Sequence, residues 1–113
     1  MSAHITITPT SGRVRVLWHG HVIADTTKAL DLKEGSYSVT RYIPRQDVNM
    51  SYLERTTHQT TCPYKGAASY FSLVADGKTD ANAIWTYETP KADVAEIANY
   101  VAFYPNKVTI EVV

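Results

Sequence analysis

Cysteine is almost absent from this chain: Cys62 is the only one in 113 residues. One thiol cannot close an internal disulfide. Without three other ligands it cannot form the several-cysteine cage of a structural zinc site either, so stability must come from packing. Net charge is also missing, because eleven basic and eleven acidic side chains cancel. No net positive field is available to hold a nucleic acid backbone or an anionic membrane, so neither is expected as a partner. Nowhere do about 18 consecutive apolar residues occur. The opening MSAHITITPT has no basic segment followed by an apolar run, so no signal peptide is expected and the expected location is the cytoplasm. Repeats, low-complexity tracts and linkers are lacking as well.

What remains is the composition of an ordinary globular protein, 44% hydrophobic and 19% charged. A chain of this length fits one domain, residues 1–113, and buries roughly two thirds of the surface its unfolded form exposes. From end to end the pattern is short alternating segments separated by turn residues, which predicts a mainly β fold. Ile5 and Ile7 alternate with threonines, and Val14, Val16 and Trp18 alternate with Arg13, Arg15 and Leu17. His19-Gly20 sits where a tight turn makes a hairpin with residues 21–25. A strand over 29–33 turns at Glu34-Gly35 and returns over 37–43, where Pro44 removes a backbone donor. Asp47 then reads as the N-cap of a short helical turn through Val48, Met50 and Leu53. Residues 68–75 carry apolar groups on both faces and predict an interior strand, turned by Asp76-Gly77 into a strand over 83–88. Thr89-Pro90, followed by Val94, Ile97, Ala98 and Val101, predicts one helix over 90–100. A last hairpin, 101–104 with 108–112, is expected around Pro105-Asn106-Lys107.

The richest stretch chemically is His58 to Tyr70, HQTTCPYKGAASY, which contains the Cys62 to Gly66 loop and leads into the strand expected from residue 68. It sets Cys62 beside Pro63, Tyr64, Lys65 and Gly66. Lys65 can lower the pKa of the thiol and His58 can serve as its base, because the thiolate is the reactive form. The plainer alternative makes Cys62 a small packed hydrophobe. Lys65-Gly66 is either a solvated turn or a cation beside free backbone N–H groups that hold a phosphate or carboxylate. Asp47 is either the helix cap already described or a carboxylate paired with Arg45 or Lys65. Tyr70, Trp85 and Tyr87 are either core or a flat slot that stacks on a ring.

Three stretches, RYIPRQDV at 41–48, TCPYKGAASYF at 61–71, and IWTYETP at 84–90 followed by YVAFYP at 100–105, resemble the DUF427 family of small proteins. Some members of that family bear a nucleotidyltransferase label. The resemblance implies a fold of antiparallel sheets similar to the Mss4-like, or β-tent, group, whose other members often carry a cysteine-bound zinc. With a single cysteine, and so no second cysteine pair, this chain is expected to hold no metal and no cofactor. The resemblance also implies one cleft holding Arg45, Asp47, Cys62, Lys65, Tyr70, Trp85 and Tyr87. Thr40-Arg41 and Gln46 depart from the family's usual residues beside that cleft.

A polymerase-like transferase needs Gly-Ser, a spacer and two carboxylates one residue apart to hold its metal ions. Gly35-Ser36 and Asp47-Val48-Asn49 mimic this spacing, but Asn49 replaces the second carboxylate, so that activity is not expected. His4, His19, His21 and His58 offer no clear three-ligand set. Three functions stay open at this point. The first is binding of a small anionic or planar molecule. The second is small-molecule catalysis by Cys62 or an Asp47–Lys65 pair. The third is protein interaction or self-association through an edge strand.

Overall fold

Period-two alternation sorts the chain into two antiparallel sheets. In the computed structural model, which describes residues 4–113, ten strands form. They are β1 (Ile5–Pro9), β2 (Val14–Trp18), β3 (His21–Thr26), β4 (Leu30–Glu34), β5 (Thr40–Pro44), β6 (Leu53–Cys62), β7 (Gly66–Ala75), β8 (Lys78–Thr86), β9 (Tyr100–Phe103) and β10 (Thr109–Val112). The large sheet has seven strands in the order β1-β4-β5-β9-β8-β7-β6, and the small one has three in the order β10-β2-β3. No helix among the described residues is long and apolar enough to cross a membrane.

The small sheet has one buried face. Val14, Val16 and Trp18 of β2 and Ile23 of β3 point inward, while Arg13 and Arg15 point out and pair with Asp25. Their partners are Ile43, Phe71, Leu73, Ile84, Val101 and Phe103, all on one face of the large sheet. Three polar contacts tie the sheets at the rim. Trp18 Nε1 donates to Asp80 at 2.7 Å, Thr26 Oγ1 donates to Asp47 at 2.7 Å, and His21 Nε2 meets Asp76 at 2.7 Å.

The residues between those positions face the other way and build a second cluster: Leu32, Tyr42, Ala68, Tyr70, Tyr87 and Ala102, with Trp85 and Cys62 packed beside them. Among the described residues, no second sheet covers this face. Val94 and Ile97 from the segment before β9 cover part of it. The large sheet thus packs on both sides, as strands without clean alternation require.

Four expectations need correction. The helix over 90–100 is only a 3-10 segment, Ala92–Ile97, broken at Val94, whose φ of −127° leaves the helical region. Val94 and Ile97 are fully buried, so their spacing reflects two anchor points on the sheet rather than a continuous helical stripe. Asp47 caps nothing. It ends a 3-10 turn, Arg45–Asp47, and Asn49 caps the next one, Met50–Tyr52, by accepting from the Ser51 N–H. The last hairpin does not form, because β9 joins the large sheet between β5 and β8 while β10 pairs with β2 in the small one. Finally, the stretch ahead of Cys62, to which no strand was assigned, is β6, and it pairs with β7 from Leu53↔Leu73 to Cys62↔Gly66. The threonine-rich β6 is exposed on its free edge, so its polar sequence hides a strand. Its register shifts between Arg55 and Gln59, an irregularity that makes an edge harder to extend.

Leu73 lies at the centre of the core between the sheets and is fully buried. Leu73→Ala is expected to lose about 2–5 kcal/mol in urea unfolding, as large-to-small changes at tightly packed sites do. Val22→Ala, on the exposed side of β3, is expected to change stability by less than about 1 kcal/mol.

Candidate functional site

On the face of the large sheet away from the small one, the chain leaves a cleft of about 290 Å³. Six aromatic residues line it: Tyr37, Tyr42, Tyr70, Trp85, Tyr87 and Tyr104. Strand pairing explains the grouping, because Tyr70 on β7 is opposite Trp85 on β8, and Trp85 is opposite Ala102 on β9. Ala102 leaves room above the sheet where its neighbours carry rings. Tyr42 and Trp85 stand at 90° with centroids 6.4 Å apart, and Trp85 and Tyr104 are tilted by 50° at 4.5 Å. The rings that meet Trp85 therefore stand at angles to it, whereas the sequence left Tyr70, Trp85 and Tyr87 as either core or a flat slot. Trp85 Nε1 donates to the Tyr42 hydroxyl at 3.2 Å, and the Tyr70 hydroxyl bonds Thr60 at 2.8 Å. At the mouth, Tyr37 is 73% exposed.

One ion pair lies among these rings. Lys65 Nζ is 2.7 Å from Glu34 Oε1, and the lysine side chain is only 12% exposed. Lys65 is held by its backbone. It ends the turn between β6 and β7, its N–H donates to the Cys62 carbonyl, and its own carbonyl accepts from the Lys91 N–H at 2.9 Å. Gly66 follows at φ +111°, a conformation open to glycine, and a Cβ there would come within 3.6 Å of the Thr89 carbonyl. The hairpin tip is thus clamped against residues 89–91.

Burial lowers the proton affinity of Lys65. The hydrogen bond that Lys65 donates to Glu34 and the fields of Cys62, Glu34 and Tyr42 more than offset this, and the pKa rises above the ordinary lysine value. Burial also pushes the Tyr42 and Tyr87 phenols up, and for Tyr87 the shift is large. Burial, with Tyr70 adding to it, raises Tyr104 to about 12. These three phenols stay protonated at neutral pH and can donate hydrogen bonds.

Of the residues expected in one cleft, Lys65, Tyr70, Trp85 and Tyr87 line it together. Cys62 is half-buried against the same cluster without lining the cleft. Arg45 and Asp47 are elsewhere. Arg45 bonds Thr86 at 3.2 Å and Glu88 at 3.4 Å and lies over Phe71, on the face that meets the small sheet. Arg55 shares both Glu88 and Phe71 with it. Asp47 accepts from Thr26, so neither the expected Asp47–Lys65 pair nor an Asp47–Arg45 pair forms. His58 is four residues from Cys62 along an extended strand, about 13 Å away, too far to act as its base. Its ring lies against Tyr70 instead. Among the described residues, no three His, Cys, Asp or Glu side chains converge as a metal site would need.

Glu34, Tyr37, Tyr42 and Tyr104 were not among the expected site residues. Glu34 had read as a turn residue. Tyr42 and Tyr104 stood inside stretches already singled out, RYIPRQDV and YVAFYP, and period two from Tyr42 to Ile43 marks them as facing opposite sides.

The fold and cleft define a class: a two-sheet antiparallel β protein with an aromatic, ion-paired pocket on the uncovered face of the larger sheet. The family model labelled NTP_transf_9 and described as a domain of unknown function, DUF427, matches residues 6–113, and the chain belongs to that family. No curated protein matches it.

Lys65→Met is expected to cost on the order of 2 kcal/mol, because it strands the Glu34 carboxylate in a partly buried site. Lys65→Met combined with Glu34→Met should recover most of that loss in thermal unfolding. The pH dependence has a definite sign. Since the folded-state pKa of Lys65 is raised, the stability difference between parent and Lys65→Met is full below the ordinary value of 10.5 and disappears as pH climbs through the raised one.

Proposed function

We propose that this protein is a binding module for a small, flat, uncharged molecule held in the aromatic cleft. The Lys65–Glu34 pair supports this reading most directly. An anion site needs an unmatched cation, whereas the Lys65 charge is met at 2.7 Å by a carboxylate of the same cleft. Of the two ligand types that the sequence leaves open, the planar one is therefore favoured over the anionic one.

An ammonium beside a carboxylate still has much to offer. The ammonium has three hydrogens and the carboxylate about four acceptor sites, so one mutual bond leaves both with capacity. Side by side, they match a ligand edge in which a C=O adjoins an N–H, as in lactams, imides and nucleobase-like rings. The surrounding rings supply edge and face contacts of about 0.5–1.5 kcal/mol each beyond their buried area. Tyr42, Tyr87 and Tyr104, protonated at neutral pH, add donors for further ring heteroatoms. Catalysis by an Asp47–Lys65 pair gains no support, because each group is committed to another partner.

Calorimetry and thermal shift with 2-pyridone, hypoxanthine and phthalimide, beside benzoate, nicotinate, inorganic phosphate and AMP, test this function. The lactams and imides are expected to raise the melting temperature and to lose at least tenfold in affinity on Lys65→Met. Stabilisation by the anions alone would replace the proposal with an anion site, and no response to any compound would remove it for these ligand classes.

A further inference from the structure

A second cavity of about 290 Å³ adjoins the aromatic cleft and shares Ser38, Thr40 and Trp85 with it. The two differ in chemistry. The second is walled mainly by Val39, Phe103, Pro105, Ile110 and Val112, with Trp85 as the common partition. Its one cation, Arg41, has Asp31 at 3.6 Å, so the groove presents no unmatched charge. Val39 is 39% exposed and Val112 43%, which leaves apolar surface open to water beside a polar, ion-paired cleft.

We infer that the cleft's ligand carries an apolar arm that crosses Trp85 into this groove, which makes the ligand class a planar polar head joined to a short alkyl or aryl chain. This rests on the binding function proposed above. Two observations favour an arm over a second copy of the chain. The groove is concave, with walls from both sheets: Phe103 on β9 of the large sheet, and Ile110 and Val112 on β10 of the small one. Concave, mostly apolar cavities with a few polar groups suit small molecules, whereas protein partners need broader complementary surfaces. The groove also continues the cleft through shared residues, so one molecule can fill both.

The probes are 2-pyridone and its 5-alkyl derivatives from methyl to hexyl, titrated calorimetrically into the parent protein, Val39→Glu and Val112→Glu. Both substitutions are at partly exposed positions, and the melting temperature of each checks its fold. Affinity is expected to rise about twofold to fourfold per added carbon until the groove is filled. Either substitution should flatten that rise while leaving 2-pyridone itself within about twofold of the parent, since it lies outside the head's site. If 2-pyridone binds but the series is flat, the arm is refuted while the cleft's binding function stands. A rise that persists in both variants would mark the gain as non-specific and refute the arm as well. No binding by any member overturns both. Sedimentation showing a dimer that Val112→Glu abolishes, and that excludes the hexyl compound, would assign the groove to a second copy and overturn the inference.

Discussion

Everything at the site depends on the requirement that the large sheet bury both faces while only one has a partner sheet. Neighbouring residues on its inner strands divide accordingly: Ile43, Phe71, Ile84 and Phe103 go to the core between the sheets, and Tyr42, Tyr70, Trp85 and Ala102 to the other side. The centre of the first side is apolar because Val14, Val16 and Ile23 seal it. The second is covered only by short segments and must reconcile buried surface with nearby water. Tyrosine meets both needs, having an apolar ring and a polar tip. Five of the eight tyrosines in the chain line the cleft.

The same division separates Arg45 from Lys65, which the sequence reading had placed in one cleft. Arg45, Arg55 and Glu88 lie on the side of Phe71, with both guanidiniums over its ring and Glu88 between them. Arg55 and then Arg45 hold the Glu88 carboxyl below its usual range, so this cluster stays ionised and keeps one surplus positive charge. Lys65 and Glu34 lie on the side of Tyr42 and cancel. Moving charge into an aromatic box is costly unless it is paired there, so a balanced pair presents hydrogen bonds without presenting a net charge. Under the binding function proposed above, that balance would favour neutral ligands with complementary edges.

The mainly β architecture was legible because alternation in 14–18 and 68–75 is strong and the turns at His19-Gly20 and Asp76-Gly77 are explicit: His19 and Asp76 both take positive φ ahead of glycine. Less legible was β6, whose exposed threonines give no apolar period. The partners of β9 and β10 were hidden because Tyr104 to Lys107 resembles a hairpin turn whichever sheet the next strand joins. At the site, the part legible in sequence was the part fixed by local alternation, namely Tyr70, Trp85, Tyr87 and the hairpin tip with Lys65. Glu34 could not be found this way, since it reaches Lys65 across 31 residues of sequence and from a strand, β4, that β5, β9 and β8 separate from β7 in the sheet. Arg45 and Asp47 were misplaced because Pro44 and the 3-10 turn after it carry the chain toward the small sheet.

Cys62 shows how sheet geometry limits chemistry. A reactive thiol needs a base within hydrogen-bond reach or a nearby cation free to stabilise the thiolate. The extended strand holds His58 too far away, and Lys65, the nearest cation in sequence, is bound to Glu34. Cys62 pairs across the hairpin with Gly66, packs half-buried against the second cluster, and shapes the field that Lys65 feels. Its place at the end of β6 makes it part of the frame that delivers Lys65 to the cleft. The thiol and the ammonium are neighbours because both belong to one tight turn, and the turn is clamped by residues 89–91. A stretch that reads in sequence as a nucleophile beside its activator is, in the fold, a hairpin tip that positions one donor against one acceptor.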